Sequence, residues 1–329
     1  MNHARLHPHA PAPSGAGASS HPRHLLGLEH LQRETLLALL EDAAKWRERA
    51  RTRELPCERP RGVTVCNAFF EDSTRTRISF ELAEQRVGAT RVSFSASGSS
   101  VSKGETLLDT ARVIAAMNVD VLVVRHPSSG SAAHLARHLD AIVVNGGDGT
   151  HEHPTQGLLD LLTLRDAWDG RFEGRRMAIV GDIAHSRVAR SAIHGLRKLG
   201  ATITVAGPAT LLPAEVESLG VRVAHSADEA LEGADAAMAL RIQRERMECG
   251  LLPSMGEYAR EWGLNAERVS RMKPHAVVMH PGPMNRGVEI APDVADGERS
   301  VIFDQVENGV AVRCAVLEWC AGSLAKAAA

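Results

Sequence analysis

Short β-branched runs alternate with helical stretches along most of this chain, and that rhythm constrains the fold more than any other feature. Val63-Thr-Val-Cys-Asn-Ala-Phe-Phe70, Val119-Asp-Val-Leu-Val-Val124 and Ala141-Ile-Val-Val144 read as strands. Leu31 to Arg51, Ile78 to Val87 and Thr106 to Met117 carry apolar residues at helical spacing. Runs this apolar need cover on both faces, which is the pattern of a parallel sheet between helices. A long helix is expected from Thr155 to about Trp168, bridging two domains. The rhythm then restarts: Met177 to Val180, Thr202 to Val205, Val221 to Val223, Ala236 to Leu240 and Ala276 to Met279 read as strands. Arg187 to Leu199 reads as a helix, and a last amphipathic helix lies near Val312 to Leu324. At 329 residues the chain exceeds what one core usually serves. The expected class is α/β: two doubly wound domains, each a parallel sheet flanked by helices, joined by interdomain helices.

Residues 1–23 are His-, Pro-, Ala-, Gly- and Ser-rich with few large apolar side chains, so they are expected to form a disordered tail. Their histidines fit no metal template. The formal net charge of −2 gives no basic excess for nucleic acid or an anionic membrane, so anion binding must come from locally placed arginines. Five scattered cysteines (Cys57, Cys66, Cys249, Cys314, Cys320) form no CxxC pair. They argue against a disulfide framework or a zinc site and suit a reducing cytoplasm. No apolar run is long enough for a membrane span, and the N-terminus lacks an apolar leader core.

In open parallel sheets, ligands bind beyond the carboxyl ends of the strands, and the polar clusters of this chain follow its expected strands. Glu71-Asp-Ser-Thr-Arg-Thr-Arg77 runs into a helix. Helix capping accounts for Ser73 or Thr74. It does not account for Arg75 and Arg77, which oppose the helix dipole unless an anion binds there. Capped surface helix and phosphate site both stay open at this point. Ser97-Gly-Ser-Ser-Val-Ser-Lys-Gly-Glu105 is either a surface loop or an arm carrying Ser99 and Lys103 to an anionic ligand.

Arg125 follows the second strand, and His153 stands before Pro154, a residue suited to a first helical turn. A helix N-terminus favours the neutral imidazole, which can donate to a developing oxyanion, although a histidine there is often only a cap. In the second half, Arg187 follows Val180-Gly-Asp-Ile-Ala-His-Ser186, and Arg241-Ile-Gln243 and His280-Pro-Gly-Pro283 follow other strands. Arginines at strand ends suit a ligand with more than one carboxylate, or are merely solvated. The missing G-x-G-x-x-G argues against a dinucleotide enzyme.

Together these motifs resemble the aspartate/ornithine carbamoyltransferase family, and within it the aspartate-specific branch. Ser73-Thr-Arg-Thr-Arg77 is similar to the family's carbamoyl-phosphate signature and His153-Pro-Thr-Gln156 to its second. Ser99 with Lys103-Gly-Glu105, Arg241-Ile-Gln243 and His280-Pro-Gly-Pro283 resemble the aspartate branch. Five motifs in the family's order, from Leu25 to the last helix, make the resemblance specific. The ornithine branch has a Cys where Pro281 stands and a Ser-Met-Gly directly after a strand. Ser254-Met-Gly256 is expected inside a loop instead, a coincidence.

The resemblance implies a cytoplasmic enzyme of de novo pyrimidine synthesis, carbamoylating the amine of L-aspartate from carbamoyl phosphate with no cofactor and no metal. It implies a C-terminal helix packed back on the first domain, hence a carbamoyl-phosphate domain of 24–154 plus 309–329 and an aspartate domain of 155–308. Ser73, Thr74, Arg75 and Thr76 would hold the phosphate, with Ser99 and Lys103 arriving from a neighbour in a homotrimer with shared sites. Thr76, Arg125 and His153 would face the carbonyl oxygen, and Gln156 the carbamoyl nitrogen. Lys103, Arg187, Arg241 and Gln243 would take the aspartate carboxylates, with Pro281 and Gly282 carbonyls at the amine. The sequence leaves open a regulatory chain or a dihydroorotase as further partner. An ornithine-type enzyme and a non-catalytic scaffold paralogue are the alternatives.

Overall fold

The computed structural model describes residues 24–54, 62–95, 104–242 and 250–328. Expectations on residues 1–23, Ser99, Lys103 and Gln243 therefore fall outside the described residues.

Two all-parallel sheets carry the described chain. The first contains β1 (Thr64–Phe69), β2 (Thr90–Ser95), β3 (Val121–His126) and β4 (Ile142–Asp148) in the order β2-β1-β3-β4. The second contains β5 (Arg176–Val180), β6 (Thr202–Ala206), β7 (Arg222–Ala224), β8 (Ala236–Ala239) and β9 (Val277–Met279) in the order β7-β6-β5-β8-β9. Strand order reverses between β1 and β3 and again between β5 and β8. Each reversal parts the crossover helices and opens a crevice at the carboxyl ends.

Helices α1 (Arg33–Thr52), α2 (Thr74–Val87), α3 (Leu107–Ala115) and α4 (Ser131–Ala136) accompany the first sheet. Helix α5 (Pro154–Ala167) crosses to the second, where α6 (Arg187–Lys198) follows β5. Leu158, Leu161, Leu162 and Leu164 of α5 are all fully buried, because neighbours cover this helix all round. It meets α6 through small residues. A Cβ on Gly157 would come within 2.7 Å of Leu28, and one on Gly195 within 2.6 Å of Leu161. One continuous core cluster runs from Leu36 and Phe80 on the first side, through α5, to Ile193 and Ile203 on the second.

Beyond β7 come α7 (Ala227–Leu231), α8 (Met255–Trp262), α9 (Ala266–Ser270), α10 (Pro292–Ala295) and the long α11 (Ile302–Ala328). Helix α11 packs against α1, α2 and α5, and Trp46 Nε1 donates to Glu318 Oε2 at 2.6 Å to tie its far end to α1.

The structure departs from the sequence reading in several places, among them the short helices α7 to α10, which were not expected. Strand β2 was not expected; it is the sheet edge, with Arg91, Val92 and Ser93 all exposed, so it lacks an apolar pattern. The six-residue α4 was missed for its brevity. Helix α11 begins at Ile302, ten residues before the expected start, because Phe303 and Val306 on its first turns are exposed and blur the periodicity. Ser254-Met-Gly256 is not inside a loop: Ser254 caps α8, its Oγ accepting from the Glu257 N–H at 3.0 Å. Among the described residues no helix is long and apolar enough to cross a membrane.

Candidate active site

The two crevices open into one cavity of about 450 Å3 between the sheets. Ser73, Arg75, Thr76, Arg125, His153, Gln156, Arg187, Arg241, Pro281 and Gly282 all line it. Ten expected site residues, drawn from the carboxyl end of β3 and from the loops and helix starts after β1, β4, β5, β8 and β9, thus meet on one surface. Thr74 is the exception: it occupies the first position of α2, exposed, and does not line the cavity.

Ser73 is the N-cap of α2 by backbone conformation, yet its hydroxyl accepts no N–H from the helix. The plain capping explanation is therefore not realised, and the hydroxyl stays in the cavity wall beside a positive helix end. The two arginines of the motif separate. Arg77 lies over the Phe69 ring at 5.3 Å, a packing role. Arg75 faces the cavity, where partial burial and then the charge of Arg241 lower its pKa.

Among the described residues five arginines line the cavity: Arg75, Arg125, Arg187, Arg241 and Arg313. Glu71 and Asp182 are the described carboxylates on the same wall. Glu71 accepts from Arg125 at 2.7 Å and also from Arg187, so one acid is shared by a cation from each sheet. Asp182 is engaged by the His185 ring at 2.8 Å. Burial, followed by the nearby Arg187, brings the Arg125 guanidinium down to about 10 despite Glu71. Burial, followed by Arg125, brings Arg313 down to about 9. Cations that depress one another in a closed space create a site that an anion would relax.

His153 caps α5 with its carbonyl, which accepts from the Gln156 and Gly157 N–H groups at 2.9 and 3.0 Å. Its own N–H donates to Ser191 Oγ at 2.9 Å, and Ser191 donates to Glu152 at 2.7 Å. The imidazole is buried with no partner on Nδ1. Burial first, then Arg125, Arg313 and Arg187, holds its pKa well below 6.5. The expected neutral ring is supported, but burial and the arginines hold it so, where the sequence had suggested the helix dipole.

Sequence reasoning gave no role to Glu71, Arg313 or Gln305. Arg313 interrupts an apolar helical run, Val310-Ala-Val-Arg-Cys-Ala-Val316, and an isolated cation in such a run was the available signal. Its guanidinium is nearly fully buried, stacked over Phe80 at 5.0 Å, with Nε unpartnered.

Among the described residues only Glu29, Glu152 and His194 approach metal-ligand geometry, and none of them lines the cavity. The Glu152 carboxylate is already taken by the Leu28 and Glu29 N–H groups, at 2.8 and 3.1 Å, and by Ser191. That cluster reads as a clasp holding the N-terminal segment against α5 and α6.

Residues 23–166 match the family model of the aspartate/ornithine carbamoyltransferase carbamoyl-P binding domain, and residues 173–320 match that of its Asp/Orn binding domain. The chain belongs to the aspartate/ornithine carbamoyltransferase family. Its relatives include the aspartate carbamoyltransferase catalytic subunit of Gluconobacter oxydans, 57% identical over 298 residues, covering 90% of this chain and 95% of the relative. An aspartate transcarbamoylase from Trypanosoma cruzi, solved with carbamoyl aspartate and phosphate, superposes with a TM-score of 0.80 at 31% identity, covering 89% of this chain and 94% of that one. An ornithine carbamoyltransferase from Pyrococcus furiosus superposes with a TM-score of 0.78 at 30% identity, over 90% of this chain and 96% of that one. Shape alone does not separate the two branches.

Proposed function

We infer that this chain is an aspartate-type carbamoyltransferase, passing the carbamoyl group of carbamoyl phosphate to the amine of L-aspartate and releasing phosphate, as in de novo pyrimidine synthesis. The observation that carries it is the meeting of five arginines with a neutral buried histidine in one cavity between two domains. The names of its relatives at 53–57% identity favour aspartate over ornithine. Pro281 and Arg241 in the wall support the same choice.

Ser73, Arg75, Thr76 and the first N–H groups of α2, Thr74's among them, cradle the phosphate, with Ser99 and Lys103 of a neighbouring copy completing the cage. Thr76, Arg125 and the protonated nitrogen of neutral His153 face the carbonyl oxygen and stabilise the charge that builds on it. Gln156 takes the carbamoyl nitrogen. Arg187, Arg241, Gln243 and Lys103 bind the aspartate carboxylates, and the carbonyls of Pro281 and Gly282 orient the amine. Much of the rate comes from holding two substrates in line.

Residues 24–154 with 309–329 form the carbamoyl-phosphate unit, and 155–308 the aspartate unit. The working form is a cytoplasmic homotrimer with shared sites. Exposed Ile78, Leu82 and Val92, on α2 and the edge strand that leads toward Ser99, support a second copy on that face.

A bisubstrate mimic joining a phosphonate to aspartate tests this reading. It should bind the purified chain tightly and raise its melting temperature, and neither phosphate nor aspartate alone should match it. A chain indifferent to the mimic would be a scaffold.

A further inference from the structure

Asp160 lies one turn after Gln156 on α5, buried, and away from the cavity wall. Its Oδ1 accepts from Gln156 Nε2 at 3.0 Å and from Gln305 Nε2 at 2.7 Å. Gln305, also buried, reaches Asp160 from α11. With its other end, Oε1, it accepts from the His280 N–H at 3.0 Å. His280 opens the loop whose Pro281 and Gly282 line the cavity, and its Nδ1 accepts from the Gly282 N–H at 2.8 Å. Asp160 Oδ1 thus links α5 to α11, and Gln305 carries the link on to the loop that His280 opens.

The polarity of this chain matters. A primary amide has a donor end and an acceptor end, so engaging either fixes which way round it sits. An oxygen that only accepts selects the donor end of both glutamines. Gln305 is fixed twice over, since His280 must donate to its Oε1 while Asp160 receives from its Nε2. Gln156 is fixed once, and its Oε1 is the end left for the cavity. An exposed acceptor there suits an –NH2 group and repels a carbonyl or phosphate oxygen.

We propose that Asp160 is a positioning residue for both substrates: it turns the acceptor end of Gln156 toward the carbamoyl nitrogen and, through Gln305, holds the His280 to Gly282 loop where the amine is received. The inference rests on the carbamoyl and aspartate assignment of the cavity. It explains why an acid is kept in an otherwise closed interior: it presents its acceptor to two donors and holds no cation directly. Asp160 Oδ2 and Arg313 Nε are both buried and unpartnered. Burial raises the Asp160 carboxyl from 3.8 to about 7, against the Gln305 and Gln156 amides and then the charge of Arg313, which favour its ionised form.

Kinetics on the full chain, with both substrates varied, test this. Asp160→Leu removes the acceptor and should lower kcat/KM for carbamoyl phosphate by about 10- to 100-fold, the worth of a charged hydrogen bond. Asp160→Asn keeps an oxygen that both glutamines can reach and should recover most of that loss. In a Gln156→Ala background, Asp160→Leu should add little further loss for carbamoyl phosphate, because its effect passes through Gln156. A purely structural role predicts additive losses, and additivity would overturn the proposal. So would an Asp160→Leu chain within about twofold of wild type.

Gln305→Met serves if Asp160→Leu does not fold, since it preserves length and packing while cutting the link to the loop. It should raise KM for aspartate and leave KM for carbamoyl phosphate nearly unchanged; an equal change in both, or in neither, overturns the coupling. An inactive wild-type chain would defeat the assignment of the cavity itself, and with it this inference. An active wild type with insensitive variants would defeat the inference alone.

Discussion

The two ends of the second sheet both gather basic side chains, and they differ in how far an acid satisfies them. At the amino ends of β5 and β8, Asp235 is fully buried and receives Arg175 at 3.0 Å, Lys273 at 2.8 Å and the Arg176 N–H at 2.9 Å. Burial alone would raise this carboxyl, but Lys273, the Arg176 N–H and Arg175 outweigh it and hold it at about 2. The acid is wholly enclosed and its cations reach water, so the cluster is complete as it stands. At the carboxyl ends the balance is inverted. Arg125, Arg187 and Arg313 are more enclosed there than Glu71, which divides itself between Arg125 and Arg187. A buried acid ringed by solvated cations is architecture, whereas buried cations short of acid form a site for a ligand.

Four substitutions sharpen or break that contrast, taken from the largest expected effect to the smallest. Asp235→Ala strands Arg175 and Lys273 and should cost about 3 kcal/mol, the low end for a broken buried pair because both cations touch solvent. Denaturant unfolding would read the loss, and turnover per folded molecule should stay within about twofold if that end has no catalytic part. His153→Ala should leave stability nearly intact yet lower turnover on the order of 100- to 1000-fold. A value within threefold of wild type, roughly, removes His153 from the oxyanion role. Arg241→Ala should lower kcat/KM for aspartate by about 10- to 100-fold with saturation by carbamoyl phosphate unchanged. Unaltered saturation by aspartate would take Arg241 out of the site.

The smallest effect concerns Glu84, a core carboxyl with no ion pair among the described residues. Asn67 Nδ2 donates to both of its oxygens, at 2.9 and 3.1 Å, and Asn67 Oδ1 has no partner. Burial pushes this acid up from 4.5 to about 8. Between those values the folded chain keeps a proton that the unfolded chain has shed, so Glu84 makes stability fall as pH rises from 4.5 to about 8. Glu84→Gln carries a permanent donor for Asn67 Oδ1. It should flatten that slope and add about 1 kcal/mol above pH 8, read from melting temperatures across the range. An unchanged slope would show that Glu84 titrates normally.

What the sequence disclosed follows from which forces leave a local trace. Strands β1, β3 and β4 are covered on both faces, so their apolar runs were visible, whereas β2 at the edge has no such run. The cavity residues were legible where a motif sits directly after a strand, as with Ser73 to Thr76 and His153 to Gln156. They were not legible where a long-range partner assigns the role. Arg77 and Arg75 look alike in sequence, and only the Phe69 ring under Arg77 separates them. Arg313 and Gln305 arrive from a helix about 150 residues beyond Gln156, and no local pattern links them to it.

The most direct test of the central claim is a carbamoylation assay on the purified chain, supplying carbamoyl phosphate with aspartate or ornithine in parallel. Turnover with aspartate alone is the expected result, and it would confirm the arginine-rich cavity as a site for a dicarboxylate amine. Turnover with ornithine would keep the phosphate end and contradict the roles given to Arg241 and Pro281. Turnover with neither would contradict the enzymatic reading itself.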